Sequence, residues 1–203
     1  MIVSHEYKCI FVHIPRTSGT SIENTLFNKD VECNLDPNYW GKIKHFKASQ
    51  VREYVGEDIW NDYFKFTVIR SPWERVLSRY GMFWVREIKP INIGSGKSLE
   101  HFLENDGPHI TPWEHGTSCS DYIDEELDYI CRFENREEDL MHVLNTVGHP
   151  IPDNGLVNVN PSRINPRFPR PTTFSKEAND LVEVKYRDDI LRFGYTNDKY
   201  IDS

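Results

Sequence analysis

Apolar residues along this chain follow two rhythms, and each predicts a different element. Cys9–Val12, with Ile14 beyond, is a short apolar run that ends at Pro15 and reads as a strand. Phe64–Ile69 (FKFTVI) is a second such strand, central and parallel to the first, and Leu127–Phe133 (LDYICRF) a third. Elsewhere the spacing is helical. Ile22, Thr25 and Leu26 follow the first strand, and Ala48, Val51, Tyr54 and Val55 form a short amphipathic helix closed by Gly56. Ser71 as N-cap, Pro72 at the first helical position and Glu74 three residues after the cap open a helix carrying Val76, Tyr80, Phe83 and Trp84. A short helix is expected near Leu99–Leu103. Another spans Glu134–Val147, with Asn135 as N-cap, Glu138 at N3 and Leu140, Val143, Leu144 and Val147 on its apolar face. One C-terminal helix is expected from Ser175 through Ala178, Leu181, Val182, Val184, Lys185 and Ile190 to Phe193–Tyr195. Val31–Trp40, Ile88–Ser98 and Pro150–Pro171 lack periodicity and read as loops.

Strands alternating with helices predict an α/β fold in a single domain over residues 1–203, and its first connection has a particular chemistry. Pro15 leads into the polar turn Arg16, Thr17, Ser18, Gly19, Thr20, Ser21, directly before a helix. Backbone N–H groups of such a turn and the positive end of the helix dipole converge on one small volume, which suits a phosphate. Gly19 permits close backbone approach to an anion, Thr17, Thr20 and Ser21 offer hydroxyls, and Arg16 offers a guanidinium fork. The turn is not the kinase-type phosphate loop, because Thr20 stands where that pattern requires lysine. The strand that could carry a magnesium-binding aspartate ends instead in Arg70, which repels a metal and attracts a second phosphate.

Taken together, PRTSGTS (Pro15–Ser21) and IRSPWERVLSRY (Ile69–Tyr80) resemble the 3'-phosphoadenosine 5'-phosphosulfate (PAPS)-dependent sulfotransferases, in particular the carbohydrate branch with the heparan 2-O and chondroitin types. The resemblance implies a P-loop-like three-layer sandwich, a small central parallel sheet flanked by helices. It implies that Arg16, Thr17, Ser18, Gly19, Thr20 and Ser21 hold the 5'-phosphosulfate and that Arg70 and Ser78 hold the 3'-phosphate. It places Asn160 and Ser162, in the late loop, beside the adenosine or the 3'-phosphate, with Arg163 or Arg167 able to complete that anion site. By the same resemblance His45 is the general base on the acceptor hydroxyl, and Arg16 stabilises charge on the departing 5'-phosphate. Many relatives have lysine where this chain has Arg16, which cannot give up a proton. RFEN (Arg132–Asn135) matches a strand end whose role is structural. PAPS is then the donor and PAP the product, no metal is required, and the acceptor is a hydroxyl, expected on a sugar or glycan. Trp113 is a candidate stacking platform for it, and His109 and His115 are alternative catalytic histidines. Arg75 and Arg79 read as surface ion-pair residues.

Composition narrows the partners. Twenty-four Lys and Arg against 32 Asp and Glu give a net charge of −8, which argues against broad binding of nucleic acid or sulfated polymer while allowing a local basic cleft. Lys42, Lys44 and Lys47, and later Arg163, Arg167 and Arg170, suit such a cleft. Four cysteines without tight spacing suggest neither a disulfide framework nor a zinc site, and Cys9 and Cys131 read as buried thiols. No run approaches a membrane span and the first residues lack a signal-peptide layout. The expectation is a cytoplasmic bacterial or viral protein, or a trimmed soluble catalytic domain, with oligomeric state unassigned. Two other readings stand beside the sulfotransferase: a kinase-like nucleotide phosphotransferase, and a noncatalytic nucleotide-binding or partner-binding module.

Overall fold

The computed structural model of the chain describes residues 1–26, 44–85, 98–105, 117–152, 171–198 and 200. In chain order its helices are α1 (Gly19–Leu26), α2 (Ala48–Val55), α3 (Glu57–Asp62), α4 (Pro72–Val85), α5 (Leu99–Asn105), α6 (Arg136–Val147), α7 (Lys176–Lys185) and α8 (Arg187–Phe193). The chain divides into two compact units. One comprises Met1–Arg70 with Asp121–Asn160, and the other Ser71–Ser120 with Pro161–Ser203.

The first unit is built on a four-stranded sheet in the order β1 (Ile2–Ser4), β2 (Cys9–Val12), β3 (Phe64–Ile69), β4 (Tyr129–Arg132). As expected, β2 and β3 run parallel, with Phe11 opposite Phe66, and β4 extends the parallel part, with Val68 opposite Cys131. The sheet is nonetheless mixed, because β1 pairs antiparallel with β2 through a tight turn that holds Lys8 at φ 45°. Three residues are too few to display an alternation, so β1 leaves no periodic signal in the sequence. The unbroken apolar run of β2 is explained by two buried faces. Cys9 and Phe11 join Phe66, Val68 and Cys131 on one face, packed with Ile22 of α1 and Leu140, Val143 and Leu144 of α6. Ile10 and Val12 point the other way, with Ala48 and Val51 of α2 and Trp60 of α3. Helices on both faces of a small sheet make this an α/β fold.

Gly56 turns the corner between α2 and α3 at φ 84°, a backbone state that a side chain disfavours. The six-residue α3 was too short to announce itself by periodicity. Helix α6 begins two residues later than the spacing suggests: a 3-10 turn over Phe133–Asn135 comes first, with Asn135 then at the N-cap position.

In the second unit, Trp73, Val76 and Leu77 of α4 pack with Leu99, Phe102 and Leu103 of α5 and Ala178 and Val182 of α7. Two expectations change here. Arg75 and Arg79 are not surface residues: each is 1% exposed, Arg75 donating to the Thr117 carbonyl at 2.7 Å and Arg79 to the Tyr186 hydroxyl at 2.9 Å. The C-terminal helix is also two helices, broken at Tyr186. The break lets both Tyr186 and Asp189 face inward, and the fully buried Asp189 carboxylate accepts from the amides of Cys119 and Ser120 and from the Ser120 hydroxyl. Ser175 caps α7, accepting from the Ala178 amide.

Candidate functional site

The turn after β2 is tight and strained. Thr17, fully buried, donates its hydroxyl to the Ile14 carbonyl at 2.8 Å and so closes the turn on itself. Arg16 and Ser18 sit at φ 69° and 81°, the left-handed region that costs a non-glycine residue about 1–2 kcal/mol. Strain of this kind persists where surrounding structure imposes it, commonly at ligand sites. The Ser18 carbonyl accepts from the amides of Ser21 and Ile22, so α1 starts at Gly19 and its first amides fall outside the intrahelical ladder, at the positive end of the helix. Arg16 through Ser21, singled out from the sequence, are thus one continuous turn and helix start.

Gly19 has a steric reason to be glycine. A Cβ at that position would lie 2.1 Å from the imidazole of His13, an impossible contact. His13 went unnoticed in the sequence, as did Glu23. His13 is 3% exposed, and its Nδ1 lies 2.6 Å from a Glu23 carboxylate oxygen. Burial pushes the His13 imidazole down to about 4, against the raising influence of Glu23. Burial alone would raise Glu23, but the hydrogen bond from His13, with the amino group of Met1 and Lys44 nearby, holds its carboxyl down at about 2. At neutral pH the pair is therefore a neutral imidazole donating Nδ1–H to a carboxylate. A signal did exist: one polar residue ends the apolar run CIFV, and an acid lies one turn into the helix that follows.

The same cluster holds the proposed base. Nδ1 of His45 lies 3.0 Å from the His13 carbonyl oxygen, and the two imidazoles meet edge to face with ring centres 4.5 Å apart. A carbonyl can only accept, so Nδ1 of His45 carries the proton and Nε2 carries the lone pair of the neutral ring. The neighbouring Lys44 reaches a Glu23 oxygen at 2.9 Å and the Thr20 hydroxyl at 3.3 Å. Glu23 thereby ties the segment bearing His45 to the turn.

Arg70, at the end of β3, is 7% exposed; its Nη1 donates to the Arg16 carbonyl at 3.3 Å and its guanidinium stacks 3.9 Å from the centre of the Phe133 ring. Arg136, at the start of α6, donates to the Ser18 hydroxyl oxygen at 2.9 Å and also lies against Phe133, 5.3 Å from the ring centre. Arg136 too escaped the sequence reading, since a charge early in a helix reads as solvated surface. Ser78 is buried in α4, in the other unit. Asn160, Ser162, Lys42, His109, Trp113, His115, Arg163, Arg167 and Arg170 lie outside the described residues. Cys9 and Cys131 are buried thiols, burial pushing Cys9 up to about 12 and Cys131 likewise upward. Among the described residues no cluster of His, Cys, Asp or Glu has the makings of a metal site, and no helix is long and apolar enough to cross a membrane.

Comparison with known proteins adds an independent line. Over 103 residues the chain is 28% identical to an uncharacterized protein of Archaeoglobus fulgidus, covering 51% of this chain and 82% of that protein. No solved structure gives a significant match. The sequence profile of the sulfotransferase family matches residues 1–196, nearly the whole length. Agreement between that match, the α/β sheet with its strained turn and the arginine closing β3 places this chain in the sulfotransferase family.

Proposed function

We propose that the protein transfers a sulfuryl group from PAPS to a hydroxyl of a sugar or glycan, with His45 as general base. The observation that carries this reading is the bond from His45 to the carbonyl of His13. It fixes the tautomer of the base and ties it to the segment that opens the phosphate-type turn. The residues present suit an anionic nucleotide: amides at the positive end of α1, a guanidinium on Arg16, and the buried guanidinium of Arg70 leaning on the same turn.

PAPS supplies an activated sulfuryl group on a good leaving phosphate; everything else is positioning and charge. The amides of the Arg16–Ser21 turn grip the 5' end, Thr17 contributing its amide because its hydroxyl is spent on Ile14. Arg16 stabilises charge gathering on the leaving phosphate, a task that needs a cation but no mobile proton. Nε2 of His45 takes the hydroxyl proton as the acceptor oxygen attacks sulfur. Arg70 binds the 3'-phosphate; Ser78, Asn160 and Ser162 complete the assignment carried by the resemblance.

Arg70→Ala is the direct test of the donor assignment. Binding of adenosine 3',5'-bisphosphate should weaken by about 2–5 kcal/mol, the range for truncating one partner of a buried charge pair. Binding of adenosine 5'-monophosphate should change little. Equal losses for the two nucleotides would refute the role of Arg70.

A further inference from the structure

Arg136 is a cation beside the Arg16–Ser21 turn that this scheme leaves unused. It stands in the first turn of α6, the end of a helix where positive charge is least favourable. Among the described residues no carboxylate pairs with it. Asp139, one turn on, is spent on the Arg132 amide and the Tyr129 hydroxyl, and Glu137 and Glu138 are exposed. Its Nε is buried without a hydrogen-bond partner, while its Nη1 crosses to Ser18 in the strained turn. The ring that supports it, Phe133, also supports Arg70, so two guanidiniums are held against one aromatic ring beside one loop. Like charges gathered at a half-buried place are costly unless an anion joins them. Because Ser18 accepts from Arg136, its own hydroxyl proton has to be donated elsewhere, and the bond from a cation makes it a stronger donor.

We propose that Arg136 is a donor-binding residue which, acting with Ser18, receives the 5'-phosphate end of the nucleotide held by the Arg16–Ser21 turn. The assignment rests on the sulfotransferase reading. It goes beyond that reading by adding a cation from α6 to the 5' side, distinct from the 3' side where Arg70 acts. Contact with Ser18 decides the end, since Ser18 belongs to the turn itself.

The test is calorimetric titration of the intact chain with adenosine 3',5'-bisphosphate and with adenosine 5'-monophosphate, for the unaltered protein, Arg136→Ala, Arg136→Gln and Arg70→Ala. Arg136→Ala should weaken both nucleotides by the same factor, about tenfold or more, the scale of a hydrogen bond to a charged group. Arg136→Gln can still donate to Ser18, which guards against a folding loss, yet it lacks the charge and should be weakened alike. Glutamine binding as tightly as arginine would overturn the proposal, because Arg136 would then merely prop Ser18. A loss confined to the bisphosphate would overturn it too, moving Arg136 to the 3' side. An unaltered protein that binds neither nucleotide removes the donor reading and this inference with it. An Arg70 effect confined to the bisphosphate, with no Arg136 effect on either nucleotide, removes the inference alone.

Discussion

His13 sits where strand becomes turn, its Nδ1 on Glu23, its carbonyl under His45 and its far edge against Gly19. Sequence reasoning found Gly19 and His45 but could not supply the reason they belong together, because the group joining them comes from a side chain ten residues away from its partner acid. Glycine at 19 was attributed to close approach of an anion; in the fold, the imidazole already occupies the space a Cβ would take. The pair also makes a pH prediction. Folded His13 stays neutral down to about 4, whereas the unfolded imidazole takes a proton near 6.5. Between those values the unfolded chain binds more protons, so stability falls as pH drops from about 6.5 to 4, by at most about 3 kcal/mol. Glu23 continues the trend: held at about 2, it contributes stability above the ordinary carboxylate value of 4.5 and loses it as pH falls toward 2. Melting temperatures of the unaltered protein and His13→Gln, followed from pH 7 to 4, should diverge, with the unaltered protein losing ground on acidification. Parallel curves would show that His13 carries no such linkage.

At the level of elements, the parallel strands and the helices with a clear apolar face were legible, because burial on two faces of a strand or one of a helix writes a strong period. Phe64–Ile69 has the bounds its pattern predicts, whereas the run from Cys9, expected to reach Pro15, ends as a strand at Val12. Short pieces held by their neighbours were not: β1 depends on pairing with β2, and α3 on the corner at Gly56 and the burial of Trp60. The break at Tyr186 was hidden for a different reason. Helical spacing continues through it, and what bends the chain is Asp189 turning inward to receive three donors from Cys119 and Ser120. Asp189→Ala would strand those donors in the interior and should cost about 3 kcal/mol or more in urea unfolding. Asp189→Asn, retaining one acceptor oxygen, should recover part of it. A loss below about 1 kcal/mol for alanine would mean that the carboxylate does not hold the bend.

Taken whole, the molecule is acidic, yet Arg16, Lys44, Arg70 and Arg136 gather on or around one turn. Net charge argues against broad polyanion binding without bearing on this local cluster, since a few cations in a confined place govern the local field. The turn and the arginine closing β3 were readable because they are contiguous motifs; Arg136, Glu23 and His13 were not, because folding alone brings them to the turn. The central claim is that such a site moves a sulfuryl group to a hydroxyl with His45 as base. It is tested most directly by incubating the chain with sulfur-labelled PAPS and a panel of hydroxyl acceptors, alongside His45→Ala, while adenosine 3',5'-bisphosphate binding is measured for both. The account predicts acceptor-dependent transfer that falls roughly 100-fold or more in His45→Ala, with nucleotide binding nearly unchanged. Full transfer by His45→Ala, or turnover of magnesium ATP with no use of PAPS, would contradict it.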